Sequence, residues 1–183
     1  MASEWAEVLG ELRRLVYEWR FRRSQWSTSA RNMELYRGYA EKTSGASRLC
    51  YLQTLQAEAG ARSMLEDVRR LGEAVRDIDE LRARAERMDK GGEPDAIHRV
   101  AGVTGEYVTQ AVDQHWAAAA SDYRRLARLT RGVLGGSVPL SDVAAALPPP
   151  AVDCDFEDRL LLVVRAEQVQ ATREEERRLG LAA

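Results

Sequence analysis

Apolar residues in the first forty positions return to one face of a helix at a spacing of seven. Two rows offset by four residues alternate along this face: Trp5, Leu12, Trp19, Trp26 and Met33 in one, and Leu9, Val16, Arg23, Ala30 and Arg37 in the other. Such alternation is typical of a helix that packs lengthwise on another helix. It predicts a first helix from about Ser3 to Glu41, whose seam meets a helix of this chain or of a partner.

A second long helix is predicted from about Ala46 to Asp89. Its heptad rows contain Ala61, Met64, Val68, Leu71, Val75, Ile78, Arg82 and Ala85, and an apolar face continues upstream through Leu49, Leu52 and Leu55. Gly60 and Gly72 each weaken a helix by about 1 kcal/mol relative to alanine, so they indicate either close helix approach or slight bends. The glycines and the proline in residues 90–94 end this helix.

The rest of the chain also predicts helices. Residues 95–131 form one, which Gly135 and Gly136 stop, and the last helix begins near Asp155. Between them, residues 132–150 form a Gly/Pro-rich connector with room for one short helix at 141–147. No alternation typical of a strand occurs. The predicted fold is therefore all-α: a long antiparallel, coiled-coil-like helical hairpin at 1–90, with C-terminal helices at 91–183 that pack on it as a bundle.

Composition narrows the class of protein. A chain of 183 residues with a net charge of −2 fits one domain and has no global attraction for DNA or for an anionic membrane. Its two cysteines, Cys50 and Cys154, have no metal-site spacing, which favours a reducing intracellular compartment, cytoplasmic or nuclear. The N-terminus does not resemble a signal peptide, and no segment is apolar for long enough to span a bilayer.

Candidate chemistry is sparse. The chain has two histidines, His98 and His115, and Asp95 lies one helical turn from His98. These residues provide too few ligands for a zinc site or a ferritin-like site. The acidic residues around Asp155 could bind a cation, but helix capping explains them without one. No nucleophile motif or phosphate-binding glycine loop occurs. We therefore expect no enzyme activity, no catalytic residue, no cofactor and no metal.

One segment, 95–114, resembles the helix-turn-helix of bacterial repressors of the lac-repressor class. The resemblance lies in Ala101-Gly102-Val103-Thr104, in Val108 and in Val112-Asp113-Gln114. It implies a turn at Gly102, a buried Val103, a capping Thr104 and base-reading positions at Gly105, Glu106, Thr109 and Gln110. The segment departs from the family at His98, where a small alanine is usual. Glu106 and Asp113 would repel phosphates, and no arginine lies between Arg99 and Arg124.

Aromatic and arginine residues are interleaved on the first helix. A basic aromatic helix can follow a phosphate backbone, lie on a membrane surface or pack on a helical protein. The seven-residue period of the tryptophans favours a protein, because a stacking surface for bases needs no such period. We therefore predict a structural subunit that docks on a helical partner or on itself, and we regard nucleic acid as an unlikely partner. The predicted partner-binding residues are Trp5, Leu12, Trp19, Trp26, Arg20, Arg22 and Arg23.

Overall fold

The computed structural model of the chain describes residues 4–43, 47–89, 103–139 and 155–178. Within these ranges it contains no strand and four helices: α1 (Glu4–Lys42), α2 (Arg48–Asp89), α3 (Gly105–Leu134) and α4 (Asp155–Arg178). The prediction of an all-α fold is confirmed, and the first two helices lie close to their predicted bounds. The predicted short helix at 141–147 and the segment 95–102 lie outside the described residues.

α1 and α2 form the predicted antiparallel hairpin. Ser29 Oγ donates to Asp67 Oδ2 at 2.9 Å, and Thr43 Oγ1 donates to Gln53 Oε1 at 2.9 Å. As the residue number rises along α1, the number of its partner on α2 falls. α2 begins at Arg48 because the preceding Ser47 caps it, with its Oγ accepting from the Cys50 N–H at 3.1 Å.

α3 runs parallel to α1, so that three long helices pack as a bundle. Arg23 contacts Asp122, and Trp26 contacts Thr130 further along both helices. α3 ends where predicted: Gly136 has a φ of 72°, a left-handed conformation that suits glycine, and the Ser137 N–H donates to the carbonyl of Gly132 at 2.9 Å.

The chain divides into two compact units, each of which draws on several helices. One unit contains Met1–Val16, Asp77–Trp116 and Val152–Ala183, and the other contains Tyr17–Arg76 and Ala117–Ala151. In the second unit, Trp19, Trp26, Met64 and Leu71 are among the buried side chains, and in the first unit Leu9, Leu12 and Ile78 are. The proposed division of the sequence at residue 90 stays a prediction.

The heptad phase predicted for α2 is half right. One predicted row is buried, namely Met64, Leu71, Ile78 and Ala85. The buried row that alternates with it is Gly60, Asp67, Ala74 and Leu81, whereas the predicted Ala61, Val68, Val75 and Arg82 are only half-buried. The pattern hid this row because two of its members are not apolar: Asp67 accepts a hydrogen bond from α1, and Gly60 has no side chain.

Both interior glycines of α2 lie where another helix approaches closely. Close approach is one of the two alternatives that the sequence allows, the other being slight bends. A Cβ at Gly60 would lie 3.1 Å from the backbone N and Cα of Met33, and one at Gly72 would lie 3.1 Å from the ring of Tyr123. These distances are tight for a Cβ contact, so glycine lets α2 lie close to α1 and to α3.

Candidate interaction surface

The tryptophan seam lies inside the fold. Trp19 and Trp26 are each 1% exposed, and Met33 is buried with them in the second unit. In the first unit, Leu12 is buried, and Trp5 is half-buried with its ring against Gly105. The seam therefore meets helices of the chain itself, and a partner would not reach Trp19 or Trp26 without opening the bundle.

A polar layer accompanies the two buried tryptophans. Trp26 Nε1 donates to Thr130 Oγ1 at 2.8 Å, and Arg23 Nε donates to Asp122 Oδ2 at 2.9 Å. Arg125 contacts the other oxygen of Asp122 at 3.3 Å, and the side chain of Asp122 is 1% exposed. Trp19 Nε1 has no partner among the described residues. A buried polar group without a hydrogen-bond partner destabilises the fold, and a shift of α1 along α3 would break these contacts. The layer therefore favours one register of α1 on α3.

The remaining predicted docking residues, Arg20 and Arg22, are half-buried on α1. Arg22 Nε donates to Glu18 Oε1 at 2.6 Å and its guanidinium lies 5.4 Å from the ring centroid of Phe21. Arg23, by contrast, is buried against Asp122. The three arginines predicted to dock on a partner therefore have different surroundings. The bundle does not bring them together into one basic surface.

Two aromatic side chains lie on the outer face of α1, away from the seam. Tyr17 is 52% exposed and Phe21 is 53% exposed, and they lie one helical turn apart. We call this pair the outer row. These two residues are not among the predicted docking residues, although their spacing of four residues, out of phase with the tryptophans, is a sequence signal that could reveal them.

A larger group of exposed apolar side chains lies at the end of the hairpin where α1 passes into α2. We call this group the tip cluster; its members are Leu35, Tyr39, Leu49, Tyr51, Leu52 and Leu55, which are 41–64% exposed. Cys50 Sγ donates to the carbonyl of Ala40 at 3.6 Å, which joins the two helix ends. The apolar face predicted at Leu49, Leu52 and Leu55 thus exists, but it faces solvent.

A cleft adjoins the tip cluster where α3 ends. It encloses about 350 Å³ between α1 and α2, next to the last residue of α3. Its apolar lining includes Met33, Ala40 and Leu134, and the charged Arg37 and Glu58 also line it. A cleft of this volume could receive one or two apolar side chains of a partner.

The outer face of α2 is polar and balanced in charge. Glu66 accepts hydrogen bonds from Arg69 at 2.7 Å and from Arg70 at 2.9 Å. The bonds from Arg69 and then from Arg70 lower the pKa of the Glu66 carboxyl from 4.5 to about 2. Arg69 also pairs with Glu73. Such a self-paired face offers a partner little unpaired charge, unlike the apolar tip.

The start of α3 has part of the geometry that the repressor resemblance implies. Val103 is buried, and Thr104 Oγ1 accepts from the Tyr107 N–H at 3.1 Å as a helix cap. Two of the proposed base-reading positions, Gly105 and Thr109, lie against other parts of the fold and do not project into solvent. A Cβ at Gly105 would lie 2.8 Å from the Trp5 ring, and Thr109 Oγ1 is buried without a hydrogen-bond partner among the described residues. Glu106 and Gln110 are exposed.

The described residues contain no group of three or more histidine, cysteine or acidic side chains that could hold a metal ion. His115 is buried, with its Nδ1 2.7 Å from the carbonyl oxygen of Ala111, and is part of the helix interior. None of the helices in the described ranges is long and apolar enough to cross a membrane.

Comparison of the chain with models of known protein families, with curated proteins and with solved structures gives no match.

Proposed function

We propose that the chain is a non-enzymatic, intracellular structural subunit that docks on a helical partner protein or on itself within a larger assembly. The docking surface consists of the outer row and the tip cluster. The tryptophan and arginine seam supports these surfaces from inside the bundle. The proposed contact residues thus differ from the tryptophans and arginines that the sequence predicts, whereas the proposed role as a structural subunit is the same.

One observation carries the proposal: the second unit exposes eight large apolar side chains on the outer row and the tip cluster. Apolar patches above a few hundred Å² are unusual on monomeric proteins and mark contact sites, and the tip cluster, with six members at one end of the hairpin, is the larger of the two groups. Exposed tyrosine and phenylalanine are also enriched in interfaces, because they bury much area with few rotatable bonds. Helix spacing in both sets suits a helical partner, whose side chains recur at the same intervals.

Site-specific photo-crosslinking in cells tests the proposal. The photoreactive residue p-benzoylphenylalanine replaces Phe21 on the outer row or Tyr39 in the tip cluster. A matched control carries it at Arg76, an exposed polar position of α2 in the same unit. We expect discrete crosslinked products from positions 21 and 39 and none from position 76. Absence of products from both apolar positions would contradict the proposal.

A DNA-binding regulator that uses residues 95–114 is the second candidate. The buried Val103 and the capping Thr104 favour it. Gly105, packed against Trp5, and the buried hydroxyl of Thr109 disfavour it, because base-reading side chains must project into the groove. Phosphate contacts make DNA binding weaken steeply with salt, so a salt titration of binding to mixed-sequence duplex DNA separates the two candidates.

A further inference from the structure

The tip cluster lies on a part of the hairpin that has no net charge. Around Leu35 and Tyr39 on α1, the acids Glu34 and Glu41 are balanced by the bases Arg37 and Lys42. Residues 49–57 of α2 contain no charged side chain, although 31% of the residues in the whole chain are charged. The nearest charges on α2 are Arg48 and Glu58, at the two ends of this stretch. A surface without net charge can contact an identical copy of itself without like-charge repulsion. Association of two different proteins that is accelerated by electrostatic attraction needs opposite charges on the two surfaces.

The bundle is thinner at the tip cluster than along the seam. Among the described residues, α3 ends at Leu134, beside the cleft lined by Met33 and Ala40, while α1 continues to Lys42. The last turns of α1 and the first turns of α2 are thus two helices without a third, in the part of the chain that the structure describes. Two packed helices leave apolar positions uncovered, and two such pairs together form a four-helix bundle.

We infer that the tip cluster is the contact between two copies of this chain, which join their hairpin ends as a symmetric four-helix bundle. This inference rests on the proposed function and names the occupant of one of its surfaces. In such a dimer, Leu52 and Leu55 of each copy pack on the same residues or on Tyr39 of the other copy, and side chains of each copy reach the cleft of the other.

The area of the tip cluster fits a dimer of this kind. A half-exposed side chain of this size leaves roughly 80–100 Å² in water, so the six members leave roughly 500 Å² of apolar surface per copy. A standard interface takes about 800 Å² from each partner, of which about 57% is apolar, or about 450 Å². The cluster therefore supplies the apolar share of one standard interface and not that of a much larger one.

The mass of the purified chain in solution tests the inference. Light scattering coupled to size-exclusion chromatography, from 1 to 100 μM, should give a species of about 41 kDa, which is twice the 20.5 kDa of the chain. Leu52→Glu should shift this species to the monomer, because two carboxylates would meet near the symmetry axis. Leu65→Glu is the matched control: Leu65 is 51% exposed on the same helix but outside the tip cluster, so this variant should stay dimeric.

Thermal melting followed by circular dichroism checks that both variants are folded. Both leucines are exposed, so neither substitution should unfold the bundle. A monomer at every concentration would overturn the inference, and so would a dimer that survives Leu52→Glu or is lost equally in Leu65→Glu. A monomeric chain that still forms photo-crosslinks at positions 21 and 39 to a different protein would overturn the dimer alone and leave the proposed function standing.

Discussion

Removal of Arg23 should destabilise the bundle far more than removal of a surface arginine. Arg23 Nε lies 2.9 Å from Asp122 Oδ2, and the two side chains are 10% and 1% exposed. Arg23→Met would leave the Asp122 carboxylate buried, with Arg125 at 3.3 Å as its other ionic contact. Breaking one side of a buried pair typically costs 3–5 kcal/mol. Because Arg125 still compensates part of the charge, we expect about 3 kcal/mol.

A double-mutant cycle gives this prediction a sharper form. Arg23→Met/Asp122→Asn removes both charges. Its loss of unfolding free energy in urea should therefore be smaller than the sum of the two single losses by about 1–3 kcal/mol. The control is Arg22→Met, whose pair with Glu18 is more exposed and should be worth less than about 1 kcal/mol. A loss below about 1 kcal/mol for Arg23→Met, or additive single losses, would refute the idea that the buried pair fixes the register.

Three smaller predictions follow from other contacts. Thr130→Val leaves the buried indole N–H of Trp26 without its acceptor and should lower the free energy of unfolding in urea by about 1–3 kcal/mol; an unchanged free energy of unfolding would contradict this hydrogen bond. Gly60→Ala brings a Cβ within 3.1 Å of facing backbone and should lower the melting temperature, whereas Gly38→Ala, with nothing within 4 Å, should raise it; equal signs would contradict the close approach. The Glu66 carboxyl should titrate near pH 2 by NMR rather than near 4.5, so its stabilising contribution is present above pH 4.5 and is lost as the pH falls toward 2.

The heptad pattern predicted the long helices because apolar periodicity reports directly on which face of a helix is buried. It could not reveal that Asp122 and Thr130 complete the polar layer, since these residues lie 99 and 104 positions from their partners Arg23 and Trp26. Nor could it distinguish a seam that packs within the chain from one that packs on a partner, because both need the same side chains.

The sequence favours tryptophan and arginine as docking residues for a related reason. Tryptophan and arginine dominate interfaces, but tryptophan also fills the interior of a bundle, and composition does not separate the two uses. The exposed leucines of α2 were recognised as an apolar face without a sign that they face solvent. That outcome depends on which turns of α1 and α2 extend past the end of α3, and this follows from how the three helices pack and not from the local sequence of α2.

Hydroxyl-radical footprinting read by mass spectrometry tests the central claim most directly, because it reports the solvent access of individual side chains. In the purified Leu52→Glu variant, which should be monomeric, we predict fast oxidation at Tyr17, Phe21 and Tyr39 and slow oxidation at Trp19 and Trp26. In the assembled state, the first three should become protected while the tryptophans stay slow. Fast oxidation of Trp19 and Trp26 in the free chain, with protection only on assembly, would contradict the account and return the docking role to the seam.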